Sequence, residues 1–184
     1  QLTHDTLHLT ESGVTDSSRD PQVIVSLTSF GERAHDVYLT VESLLQQSIQ
    51  PDKIILWLNE PFTQDTLPGM LQKQQARGLE VRIVPDYRSY DKLIHALQEY
   101  PEAVIITVDD DVVYPFDFME HLLYKHAEDP QAIWFYRGHR IRTEADGLPM
   151  AYTEWKGEAA QCDDSILNFP TGVGGILYPP HSLH

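Results

Sequence analysis

The sequence has 184 residues, 41% of them hydrophobic and 22% charged, the balance of one globular domain that can bury a core without metal or disulfide staples. Thirteen Lys and Arg against 28 Asp and Glu give a formal charge of −15, which excludes a nucleic-acid or polybasic membrane role unless charge is locally segregated. A single cysteine, Cys162, excludes an intramolecular disulfide and a cysteine-built zinc site and suits a reducing compartment, while no apolar run reaches transmembrane length and no signal peptide is visible.

Residues 1–20 are polar, lack a sustained period and read as an N-terminal arm; 21–184 read as the domain. Val23 to Leu27 is a β-branched apolar run, expected as a strand buried on both faces. After the polar loop Thr28 to His35, the apolar positions Val37, Val41, Leu44 and Leu45 predict a helix capped by Asp36 and broken at Pro51-Asp52. Ile54 to Leu58 predicts a second strand. Leu67, Met70 and Leu71 open a second helical stretch that Gly78 ends. Leu79, Val81 and Ile83 alternate with Glu80 and Arg82, as in a strand with one wet face. Leu93, Ile94 and Leu97 predict a helix stopped near Pro101, and Ala103 to Val108 a fourth strand running into Asp109-Asp110-Asp111. A helix from Phe118 to His126 and a strand from Ile133 to Tyr136 follow, after which the pattern loosens. Strand and helix alternating four times predict a mostly parallel α/β sheet, whose carboxyl-end loops share one edge where ligands bind.

The strongest chemical signal is the aspartate triplet at the fourth strand's end. Adjacent carboxylates repel one another, and a hard divalent cation relieves that repulsion through oxygen ligands. In an extended segment Asp109 and Asp111 point one way and Asp110 the other. The bland alternative is a solvated acidic turn before a helix. Arg33 after the first strand, with Arg88 and Lys92 after the third, fall on the same predicted edge and suit a diphosphate beside a metal. Arg137, Arg140 and Arg142 could meet an anion or pair with the abundant acids. Gly172-Val173-Gly174-Gly175 permits positive φ or close approach to a ligand, without the spacing of a P-loop or dinucleotide fingerprint. Asp163-Asp164 reads as an acidic surface turn and a weak catalytic candidate.

Four ordered segments carry a resemblance: VIVSLTSFGER, PDKIILWLNE, SYDKLIHALQEYPEAVIITVDDDVVYP and NFPTGVGGILYPP. Together they resemble bacterial nucleotide-sugar glycosyltransferases of the GT-A fold, close to family two, with the triplet as the D-x-D motif. That resemblance spans residues 21 to 184 and implies a Rossmann-like sheet and Mn²⁺ or Mg²⁺ as cofactor. It also implies a nucleotide-diphosphate sugar donor and a glycan or other hydroxyl acceptor, in surface polysaccharide assembly. The implied location is the cytoplasm, with a peripheral station at the inner membrane as the alternative. On the same ground Asp109 and Asp111 would contact the ribose and the metal–diphosphate, with Asp110 beside them. Thr28 and Arg33 would sit by the nucleotide, Asn59 and Asp86 near the base, and Lys92 beside the phosphates. Similar chains continue past the Tyr-Pro-Pro segment with an acidic pair that supplies the catalytic base, so the domain is expected to be cut short on its acceptor side. Two rivals remain: a sugar-phosphate nucleotidyltransferase, for which Thr28 to Arg33 is a poor glycine- and lysine/arginine-rich loop, and a non-catalytic glycosyltransferase-like binding module.

Overall fold

Apolar strands joined by amphipathic helices bury both faces of a sheet only when helices cover each side. The computed structural model of the chain describes residues 1–17, 19–158 and 165–183. Strands β1 (Val23–Thr28), β2 (Lys53–Leu58), β3 (Leu79–Ile83) and β4 (Val104–Thr107) alternate with helices α2 (Tyr38–Leu45), α3 (Gly69–Gln75) and α4 (Asp91–Glu99), and a short α1 (Leu2–His8) precedes them. Helix α5 (Phe118–Glu128) and strands β5 (Trp134–Phe135), β6 (Gly138–Arg140), β7 (Asn168–Pro170) and β8 (Ile176–Tyr178) follow. Six strands form the main sheet in the order β3-β2-β1-β4-β8-β5, and β6 pairs with β7 apart from it. The first four are parallel, and β8 runs antiparallel between β4 and β5. The fold is therefore a mostly parallel, Rossmann-like α/β sheet.

Strand periodicity decides which helix covers which face. Val23, Val25 and Leu27 of β1 join Ile54, Leu56 and Leu58 of β2 in one core, closed by α2, α3 and α5. The intervening Ile24, Ile55 and Trp57 pack with Ala96 of α4 on the other face. Ser26 also lies on that second face, fully buried, and it is satisfied on both sides: Trp57 Nε1 donates to its hydroxyl at 2.8 Å, and the hydroxyl donates to the carbonyl of Lys92. A polar residue inside an apolar strand thus fixes the start of α4, and with it Lys92. On the wet face of edge strand β3, Glu80 accepts from Lys53 and Arg82, and Arg82 also reaches Glu99.

Three local expectations change. Asp36 does not cap α2; the helix is entered from a 3-10 turn, Gly31–His35, with Val37 at its N-cap and no side-chain cap. The strand expected over 133–136 shortens to two residues. The loose glycine segment instead feeds β8, which inserts beside β4. Gly175 makes that possible: its φ is +94°, and a Cβ there would stand 2.6 Å from Phe118 Cζ. Gly175→Ala is expected to cost about 1–3 kcal/mol, through the left-handed backbone and overpacking against a buried ring. Urea midpoints check this, and a loss under about 0.5 kcal/mol would show that the turn rearranges freely.

The described residues of the N-terminal arm dock at several points. Thr6, buried, donates to Glu42 Oε2 at 2.8 Å. Farther along, the N–H of Gly13 donates to the Arg77 carbonyl at 2.9 Å and that of Thr15 to the Pro51 carbonyl at 2.9 Å. Glu42 and Arg77 are a buried ion pair: Arg77 Nη1 donates to both carboxylate oxygens at 2.8 Å. Burial pushes the Glu42 carboxyl up, but the bonds from Arg77, Gln46, Gln74 and Thr6 outweigh it and hold the carboxyl below the ordinary glutamate value. No described helix is long and apolar enough to cross a membrane.

Candidate functional site

The chain runs from β1 out to β3 and then returns to place β4 on the other side of β1, so the strand order reverses between β1 and β4. At such a reversal the loops leaving neighbouring strands diverge and open a crevice at their carboxyl ends. A cleft of about 500 Å³ lies there. Thr28, Ser29, Phe30 and Arg33 line it from the β1 end and Asn59 from the β2 end. Asp86, Arg88 and Ser89 follow β3; Asp91 and Lys92 begin α4; Asp109, Asp110 and Asp111 follow β4. All eight nucleotide- and metal-site residues named from the sequence are thus neighbours in space. Ser29, Phe30, Ser89 and Asp91 were not singled out there, because a serine, a phenylalanine or a helix-start aspartate carries no distinctive pattern.

The triplet does not follow extended alternation. β4 ends at Thr107, and Asp110 and Asp111 lie in a turn. Asp110 does not point away from Asp111, since both reach Arg33. Its side chain is 8% exposed, it accepts from Ser29 Oγ at 2.6 Å and from Arg33, and its carbonyl accepts from Thr40 Oγ1 at 2.9 Å. Arg33 also touches Asp111 at 2.9 Å, and the Asp111 side chain is 66% exposed. Asp109 pairs with Lys92 at 2.5 Å, and its N–H donates to the Tyr114 hydroxyl at 2.9 Å. Burial pushes the Tyr114 hydroxyl well up; the hydrogen bond from the Asp109 N–H opposes this and the charges of the three aspartates add to it, and the net direction keeps the phenol protonated.

The wall of the cleft at the β2 and β3 ends is held by Asp91, which is buried. It accepts from Asn59 Nδ2 at 3.0 Å, from the Tyr87 N–H at 3.0 Å, and contacts His95 Nε2 at 3.2 Å. The Asn59 amide is therefore anchored through its nitrogen, which leaves its oxygen as the acceptor available to a ligand. Thr28 Oγ1 donates to the Trp57 carbonyl at 3.0 Å, tying the two strand ends together. Arg88 has φ +62°, a left-handed backbone uncommon for a side-chain-bearing residue, and its N–H donates to Asp86 Oδ1 at 2.7 Å.

From the far side the glycine segment approaches the triplet. Gly172 has φ +85°, and a Cβ on it would stand 3.7 Å from Asp109 Oδ1 and 4.0 Å from Lys92 Nζ. The arginine cluster does not line the cleft. Arg137 pairs with Glu158 at 3.0 Å, Arg140 donates to Asn168 Oδ1 at 2.6 Å and Arg142 to the Glu154 carbonyl at 3.4 Å. Asp163 and Asp164 lie outside the described residues.

The cleft is lined by five carboxylates and three cations, so an anionic ligand meets a negative excess. Among the described residues no three His, Cys, Asp or Glu side chains converge as an all-protein metal cage. The donors present suit Mg²⁺ or Mn²⁺ in their usual mode, one or two carboxylates with water and phosphate oxygens completing the shell. Asp111, exposed, and Asp109 would supply them.

No protein-family model matches the chain, and no curated protein matches it. Solved structures do. A CMP:2-keto-3-deoxy-manno-octonic acid synthetase complexed with CTP superposes with a TM-score of 0.57 at 11% identity, covering 88% of this chain and 75% of that one. HddC from Yersinia pseudotuberculosis superposes with a TM-score of 0.52 at 10% identity, covering 86% of this chain and 77% of its own. The mannosyltransferase PcManGT from Pyrobaculum calidifontis, in complex with GDP-Man and Mn²⁺, gives a TM-score of 0.47 at 16% identity, and the match spans 77% of this chain and 41% of that one. The likeness to the synthetase and to HddC is one of fold: this chain shares their α/β architecture.

Proposed function

We propose that the cleft binds a nucleotide-diphosphate sugar with Mn²⁺ or Mg²⁺, and that the chain is a glycosyltransferase that moves the sugar to a glycan or other hydroxyl acceptor in surface polysaccharide assembly. The observation that carries this reading is the meeting of the aspartate turn with Arg33 and Lys92 at the strand-order reversal. A diphosphate needs cations on one side and a way past the carboxylate excess on the other, and a divalent ion supplies the second. When bound, the ion also acts as a Lewis acid for the charge developing on the leaving diphosphate. Asp109 and Asp111 would hold it, Lys92 and Arg33 would receive phosphate oxygens, and Asn59 and Asp86 would face the base. A catalytic base would come from outside these residues, with Asp163 and Asp164 as the candidates within this chain. Residues 21–184 would be the nucleotide-sugar domain, with the arm, residues 1–20, clasped to its flank.

A sugar-phosphate nucleotidyltransferase is the second reading, favoured by the fold shared with the synthetase along 88% of the chain. Products separate the two. Free or transferred sugar from a nucleotide sugar supports the glycosyltransferase; pyrophosphate released from a nucleoside triphosphate and a sugar phosphate supports the alternative. Binding without either product leaves a non-catalytic module. A thermal-shift screen of nucleoside diphosphates with and without Mn²⁺ comes first. A ligand at 100 times its Kd stabilises by about 2.7 kcal/mol, a midpoint rise of roughly 5–10 °C for a chain of this size. No metal-dependent rise with any diphosphate would remove the reading.

A further inference from the structure

Two cations of the cleft are held by its own carboxylates: Lys92 by Asp109, and Arg33 by Asp110 and Asp111 together. The two arms of the Arg33 contact are unequal. Asp110 is nearly buried and is fixed by Ser29 through its side chain and by Thr40 through its carbonyl, so it is an anchor. Asp111 is two-thirds exposed, and Arg33 is its one ion-pair partner among the described residues. Both carboxylates are met by the same guanidinium nitrogen, Nη2, and the Arg33 side chain is 45% exposed with its guanidinium over the Phe30 ring, 5.4 Å from the centroid, so the Asp111 contact can be given up at the solvent side while Asp110 and the ring still hold the group.

We infer that Arg33 is a place-holder cation that competes with the divalent ion for Asp111, so that metal and diphosphate bind as one unit and the metal alone is resisted. The inference rests on the metal–nucleotide reading of the cleft. A divalent ion on Asp111 must displace Arg33 from that carboxylate and then lies close to a like charge, which opposes binding. A diphosphate removes the conflict. Arg33 exchanges a carboxylate for phosphate oxygens, which suit its fork of donors equally well, and keeps Asp110 throughout. Each ligand then raises the affinity of the other by the same factor, as linkage requires. Electrostatically the device keeps the aspartate turn paired at all times, either with the protein's own cation or with the ligand's.

The test counts free Mn²⁺ by its electron paramagnetic resonance signal, with no nucleotide present. Arg33→Met is expected to bind Mn²⁺ alone at least about tenfold more tightly than the natural protein, equivalent to about 1.4 kcal/mol. Arg33→Lys keeps a cation at the position and is expected to stay within about threefold of the natural protein, a difference under about 0.7 kcal/mol. Adding Asp111→Asn to Arg33→Met is expected to abolish the gain, which locates it. Unchanged or weaker Mn²⁺ binding in Arg33→Met overturns the inference, as does a gain that survives loss of Asp111. Repeating the titrations with UDP, GDP, CDP and ADP in turn addresses the function separately. If no diphosphate raises Mn²⁺ affinity in the natural protein, the nucleotide reading fails, whereas the metal-alone comparison still decides the competition for Asp111.

Discussion

Asp111→Asn is expected to lower the affinity for a nucleoside diphosphate in Mn²⁺ by at least about tenfold, or about 1.4 kcal/mol. The substitution keeps the size of the side chain and removes the charge that holds a hard cation. The side chain is 66% exposed and gives up only a surface ion pair with Arg33, which is typically worth under about 1 kcal/mol, so the loss of affinity does not come from unfolding. Calorimetry in Mn²⁺ and again in EDTA isolates the cause. In EDTA the variant should bind no more weakly than the natural protein, since the carboxylate then only repels the diphosphate. Turnover should fall further than binding, on the order of 10²–10³ in kcat, because stabilisation of the leaving group's charge is lost as well. Equal affinities in Mn²⁺ would remove Asp111 from the metal site.

The largest effect on stability is expected at Arg77. Arg77→Met leaves Glu42 fully buried without its cation, and breaking a buried pair in this way typically costs about 3–5 kcal/mol. The remaining bonds from Gln46, Gln74 and Thr6 satisfy the carboxylate's lone pairs but supply no charge. Helix α1 and the arm should loosen with it, since Thr6 reaches the same carboxylate and Arg77 Nε donates to the Glu11 carbonyl. The double variant Arg77→Met, Glu42→Leu should recover much of the loss, because a packed apolar pair avoids desolvating two charges. The pH dependence follows from the carboxyl's depressed value. The unfolded chain takes up the Glu42 proton first, so the pair's contribution is present above the ordinary glutamate range and is lost as pH falls through the lower folded value. The double variant should have a flatter acid limb. Urea midpoints between pH 3 and 7 measure all of this, and a cost under about 1 kcal/mol for Arg77→Met would show that Glu42 takes up a proton or is hydrated in the variant.

The β1-to-β4 frame and the cleft's location were legible in the sequence. Both depend on local periodicity: apolar runs at β1, β2 and β4 and alternation at β3 set the strands, and parallel strands necessarily send their following loops to one edge. Thr28, Arg33, Asn59, Asp86, Lys92 and the aspartate triplet fall on that edge by chain order alone, before any side chain is placed. What the tertiary structure decided depends on contacts between distant residues. Asp110 meets Ser29 and Arg33 across 81 and 77 positions of chain, so the turn geometry that draws it inward overrides the extended alternation expected from β4. β8 is a strand because a place beside β4 satisfies its backbone and Gly175 lets Phe118 approach; its three residues carry too little pattern to announce it. The arm docks because Glu42, Arg77 and Gln74, on α2 and around the end of α3, leave buried polar atoms that Thr6 and the Glu11 carbonyl complete. Periodicity reports which face of an element is apolar, a property of neighbouring residues, whereas the partner of a buried polar group is chosen by the folded chain as a whole.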